Sequence, residues 1–77
     1  MARKKEHSFT VVIEPCDEGG YFAMCPALPG CHVQAETYEE TLKEMKSAID
    51  AFIEDYKAEK EPVPDDHVTV TTLKVAI

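Results

Sequence analysis

From residue 8 the chain reads SFTVVIE, with Phe9, Val11 and Ile13 on one side and Ser8, Thr10 and Glu14 on the other, Val12 among the latter. A period of two predicts a strand with one buried face. PCDEGG follows, and Gly19-Gly20 supplies the backbone freedom of a hairpin turn. YFAMC at 21–25 predicts a second strand, apolar on both faces. Pro26 closes it, because proline has no N–H for a ladder. HVQAE at 32–36 predicts a short third strand.

The period then changes. Thr37, Tyr38, Glu39 and Glu40 fit a capping box, in which Thr37 accepts an amide of the first turn and Glu40 reaches back. Tyr38, Leu42, Met45, Ile49, Phe52 and Tyr56 step by four, three, four, three and four, a continuous helical stripe. The spacing predicts a helix over 38–59, about 33 Å long at ~1.5 Å per residue, with Leu42, Met45, Ile49 and Phe52 in the core. Glu39, Glu40 and Glu44 lie near its positive end, Lys57 and Lys60 near its negative end. Pro62 and Pro64 stop it. The segment HVTVTTLKVAI, rich in β-branched residues, predicts a fourth strand. Its phase slips: Val68 and Val70 share one face, Leu73, Val75 and Ile77 the other. A bulge near Thr71-Thr72, or a late start, accounts for the slip.

The order β-β-β-α-β places the chain in the α+β class, as a four-stranded mixed sheet with one helix on one face. Short turns make the first three strands an antiparallel meander. The strand after the helix returns parallel by a right-handed crossover. One helix covers one face, so the side carrying Val12, Phe22 and Met24 meets water or a partner, and a partly apolar open face marks association. With 77 residues, one domain over 8–77 is expected, after a basic, flexible segment at 1–7. A core this small needs help, so a homo-oligomer, dimer or tetramer, is expected.

Charge sharpens the picture. Eight Lys and Arg stand against 15 Asp and Glu, for a net charge of −7. That sign repels phosphate, so no direct nucleic-acid binding is expected, and it suits a basic partner. No apolar run reaches membrane-spanning length, and no apolar segment directly follows the basic start MARKKEHS, so neither membrane nor signal peptide is expected and the location is cytoplasmic.

The stretch CPALPGC, at 25–31, concentrates the candidate chemistry. Cys16, Cys25, Cys31 and His32 are separated by eight, five and zero residues, whereas zinc ligands come in close pairs. An odd cysteine count in a cytoplasmic chain argues against a disulfide. No phosphate loop or nucleophile motif is present, and Glu14, Asp17 and Glu18 cluster only in and beside a turn. No metal, cofactor or enzymatic activity is therefore expected. Pro26, Pro29 and Gly30 make a rigid bend with Leu28 at its tip, either a binding ridge or a side chain folded under the helix.

Gly-Gly-Tyr-Phe-Ala at 19–23, Pro26, Leu28-Pro29-Gly30-Cys31, Thr37 with Glu40, and the amphipathic helix before Pro62 together resemble the HicB-like antitoxin family, over about residues 8–64. The chain departs from the family pattern at Ala27, where many members carry an acid, at Ala35-Glu36, where many carry Gly-Asp, and at Thr41, where Ala is common. The resemblance implies a truncated ribonuclease-H-like fold without nuclease activity. It implies binding and neutralisation of a small basic HicA-type toxin, an mRNA-cleaving ribonuclease with an essential histidine. Larger members append a helix-turn-helix or ribbon-helix-helix domain; none is expected after Ile77. The alternative is a solitary oligomeric binding or regulatory module without a toxin. Tyr21, Phe22 and Leu28 are the expected anchors for a partner, with Asp17, Glu18 and Glu36 as rim acids. Gly19, Gly20, Pro26, Pro29, Gly30, Thr37 and Glu40 are the structural motif.

Overall fold

The computed structural model describes residues 7–77. Apart from His7, the basic segment expected at 1–7 lies outside the described residues. Strands Val12–Pro15 (β1), Tyr21–Met24 (β2) and His32–Ala35 (β3) precede the helix Tyr38–Ala58 (α1). The sheet order is β1-β2-β3, and both pairs are antiparallel. Ile13, Ala23 and Val33 lie opposite one another across the sheet and face α1. Val12, Met24 and His32 form the next rung, on the reverse face.

The turns are built as their residues dictate. Cys16 N–H donates to Gly20 O (3.0 Å) and Gly19 N–H to Cys16 O (3.1 Å). Gly20 has φ +80°, and a Cβ there would lie 2.7 Å from the Ala35 carbonyl oxygen, so only glycine lets the hairpin close against the end of β3. In CPALPGC, two turns follow each other: Leu28 N–H donates to Cys25 O (3.1 Å) and Cys31 N–H to Leu28 O (3.0 Å). Pro29 and Gly30, the latter at φ +85°, occupy the central positions of the second, as a type II turn requires. Leu28 is 0% exposed, so the bend folds its tip inward. The expected binding ridge at Leu28 is corrected on this point: the side chain is core.

Cys25 and Cys31 share that core, each 2% exposed, with Ala23, Leu28 and Met45. The Cys31 thiol donates to Met45 Sδ at 3.9 Å. Burial pushes it above its ordinary pKa of 9.0, and the neighbouring Cys25 adds to the effect.

At the start of α1, Thr37 Oγ1 accepts the Glu40 N–H at 3.1 Å. Glu40 acts through its backbone; among the described residues its carboxylate makes no bond back to Thr37. At the far end, Lys60 takes φ +57°, with Lys60 N–H on Lys57 O and Glu61 N–H on Tyr56 O. This is a Schellman closure with lysine in the usual glycine place, and it ends the helix before Pro62 is reached.

The buried stripe of α1 differs from the predicted one. Leu42 is 43% exposed and Tyr38 48% exposed, while Thr41 is 0% and Met45 1% exposed. Ala48, Ile49, Phe52 and Tyr56 pack around the core as half-buried residues. Leu42 is thus no core residue, and Ile49 and Phe52 are only half-buried. The helix is rotated so that the small residues Thr41 and Ala48 join Met45 against the sheet. The Thr41 hydroxyl donates to Thr37 O at 2.7 Å, which satisfies it in the core. Seated this way, α1 packs on β3 and β2 and leaves β1 aside.

The expected fourth strand is the largest difference. Residues 61–77 form neither helix nor strand, and Val70, Leu73, Val75 and Ile77 are 72, 85, 76 and 120% exposed. Among the described residues the sheet has three strands and no parallel pair. The phase slip explains this: one register cannot bury Val68 and Val70 together with Leu73, Val75 and Ile77. The segment is instead pinned at its start, where Asp66 Oδ2 accepts from Thr10 N–H (2.9 Å) and from Thr10 Oγ1 (2.7 Å). The Thr10 hydroxyl, with the amides of Thr10 and Val68 and the neighbouring His67, holds the Asp66 carboxyl below its ordinary 3.8, against the opposing effect of desolvation.

Two outcomes test this packing. Met45→Ala should cost about 2–5 kcal/mol in urea unfolding, and Leu42→Ala less than about 1 kcal/mol; equal losses would return the helix to the predicted orientation. A disulfide reagent should titrate Cys16 rapidly in the folded chain and the other two thiols only on unfolding; a second fast thiol would contradict the buried pair.

Candidate functional site

Alternation along β2 sends Ala23 to the helix and Phe22 and Met24 to the other side. The register then assembles a face from two rungs, Val12–Met24–His32 and Glu14–Phe22–Gln34. Met24 is 40% exposed, while Val12 and Phe22 are half-buried by their strand neighbours alone. The Phe22 ring tilts over His32 with centroids 5.7 Å apart at 33°. Gln34 Nε2 donates to Cys16 Sγ at 3.6 Å, tying β3 to the first hairpin.

Acids border this apolar patch. Glu14 stands on the face itself, and Asp17 and Glu18 occupy the exposed turn after β1. Gly20 brings that turn to the end of β3, since a Cβ there would lie 3.6 Å from Glu36 Cα. Asp17, Glu18 and Glu36 therefore share one end of the sheet, all solvent-exposed. The ion pair formed among the described residues, Lys46–Asp50 at 3.0 Å, lies on α1.

Of the three expected anchors, the structure places Phe22 alone on this face. Tyr21 points to the helix side, where its ring meets Tyr38 edge-on at 5.9 Å and 83°. Leu28 is buried under the bend. Met24 belongs in their place, and its signal is the parity of β2, which separates it from Ala23. His32 also belongs to the face. It diverges from Cys25 and Cys31, whose side chains are in the core, so the ligand set considered for zinc does not converge. Among the described residues no group of three or more His, Cys, Asp or Glu is placed to hold a metal ion. No described helix is long and apolar enough to cross a membrane. An apolar patch with a negative border is suited to contact with a basic surface, the apolar part adding affinity and the charge steering encounter.

Comparison with known proteins gives the family. The family model described as HicB_like antitoxin of bacterial toxin-antitoxin system matches residues 9–75, including most of the exposed tail. A UPF0150 protein of Synechocystis sp. is 39% identical over 74 residues, 96% of this chain and 94% of that protein. A UPF0150 protein of Thermoplasma acidophilum is 40% identical over 65 residues, 84% and 94% of the two chains. Antitoxin HicB 1 of Photorhabdus laumondii is 35% identical over 60 residues, 78% of this chain but 39% of that protein. With its motif residues in place and the family pattern running through nearly all of its length, the chain belongs to the HicB-like antitoxin family.

Proposed function

We propose that the chain is an antitoxin that binds a small basic HicA-type, mRNA-cleaving toxin in the cytoplasm and occludes its RNA-binding surface. The observation that carries this reading is the open sheet face, where Val12, Phe22 and Met24 stand beside Glu14, Asp17, Glu18 and Glu36. A ribonuclease must be positive where it holds RNA, and this border competes with phosphate for that surface. Neutralisation is by contact rather than by chemistry, so the chain acts as a binding protein and not as an enzyme. The meander followed by one helix supports reading the fold as a truncated ribonuclease-H-like unit. Self-association into a homo-oligomer belongs to the same reading. The exposed tail favours one alternative, a self-associating regulatory module that meets no toxin.

Co-expression with a basic open reading frame encoded beside this gene tests the proposal. Growth should be restored and a complex recovered. Its association rate should fall as salt rises, because exposed charges are screened beyond about 8 Å at physiological ionic strength. Met24→Lys should weaken the complex at least about tenfold with the unfolding midpoint unchanged. Equal toxicity with and without this chain, and no complex at low salt, would overturn the assignment in favour of the self-associating module.

A further inference from the structure

We propose that two copies of this chain exchange their C-terminal segments, residues 72–77 of each lying as an added strand along the free edge of the run ending in β1 of the other. The inference deepens the self-association part of the reading above and is independent of the toxin.

Each half of the contact is incomplete in the single chain. On the acceptor side, β1 pairs only with β2, so its other edge carries unpaired backbone groups. Beside the run leading into that strand lies an open groove of about 920 Å³, formed where α1 sits over β2 and β3. Phe9, Val11, Leu42, Ile49 and Ile53 line it, with the acids Asp50 and Glu54 balanced by Lys46 and Lys57 along it and the chain's own Val63 at its margin. Leu42 is exposed here because no strand covers it.

On the donor side, Leu73, Val75 and Ile77 are the most exposed large apolar residues of the described chain. They share one strand parity, while Thr72, Lys74 and Ala76 take the other. A strand with that alternation fits a site with an apolar groove on one side and water on the other. The phase slip at Thr71-Thr72 marks where the added strand begins. Residues 68–77 carry Lys74 and no acid, so this part of a chain of net charge −7 approaches a second copy without like-charge repulsion.

The connection favours the second copy over the segment's own edge. Asp66, fixed on Thr10, brings the tail to the start of its own β1, yet from Val70 onward its apolar side chains point into solvent. Reciprocal exchange about a two-fold axis satisfies both edges and both tails with one interface.

The test uses the full chain. Isotope-labelled and unlabelled protein are unfolded, mixed and refolded together, and isotope-filtered NMR reads contacts between chains, alongside sedimentation equilibrium at tens of micromolar. A dimer is expected, with methyl contacts from Leu73, Val75 and Ile77 of one chain to Val11, Ile49 or Ile53 of the other. Val75→Pro, which removes a ladder N–H, and Leu73→Asp should each raise the dissociation constant at least about tenfold while helical circular dichroism is unchanged. A monomer under these conditions overturns both the exchange and the self-association reading. A dimer whose tail contacts lie within one chain, or that survives both substitutions undiminished, overturns the exchange alone.

Discussion

The seating of α1 on the sheet decides the rest of the molecule. Thr41, Met45 and Ala48 face the sheet, and the helix lies over β2 and β3 and leaves the edge strand β1 uncovered. A single helix packed this way buries Ala23, Cys25, Leu28 and Cys31 almost completely. The same placement withdraws cover from β1 and leaves Leu42, Ile49 and Ile53 along a groove. In a chain of this size the interior is too small to absorb that surface, and association is the ordinary remedy.

The two uncovered surfaces are chemically distinct. The reverse face mixes Val12, Phe22 and Met24 with acids at its border, and this combination suits a basic protein. The groove beside β1 sets Phe9, Val11, Leu42, Ile49 and Ile53 among the charged Lys46, Asp50, Glu54 and Lys57 and adjoins an open backbone edge, and this suits a strand. In this account the CPALPGC bend contributes to neither surface directly. Its two turns drive Leu28 and both cysteines into the core, and so fix where β3 begins relative to the helix.

Much of the fold was legible in the sequence because its signals are local. The alternation around Ile13, the Gly19-Gly20 turn and the Thr37 cap each act within a few residues, and each appears where its chemistry requires. The rotation of α1 was not legible, because a count of large apolar residues passes over Thr41 and Ala48. Tyr21 and Leu28 lie off the open face, and polarity alone does not reveal it. Strand parity puts Tyr21 on the helix side, and the inward course of two successive turns is a property of backbone angles, not of residue polarity. The tail shows the opposite case: its phase slip was visible in the sequence, but its consequence for pairing depends on an edge formed some sixty residues earlier in the chain.

The most direct test of the account is the tolerance of position 41, which has no exposed surface. Thr41→Val keeps the shape and removes the hydroxyl bond to Thr37, for a loss of about 1 kcal/mol. Thr41→Leu adds volume at a position that is fully buried between helix and sheet. The account predicts that it is less stable than Thr41→Val by a further 1–3 kcal/mol or so in urea unfolding. A Thr41→Leu chain as stable as the parent would mean that the helix stands off the sheet with room to spare, and would contradict the close seating from which both uncovered surfaces follow.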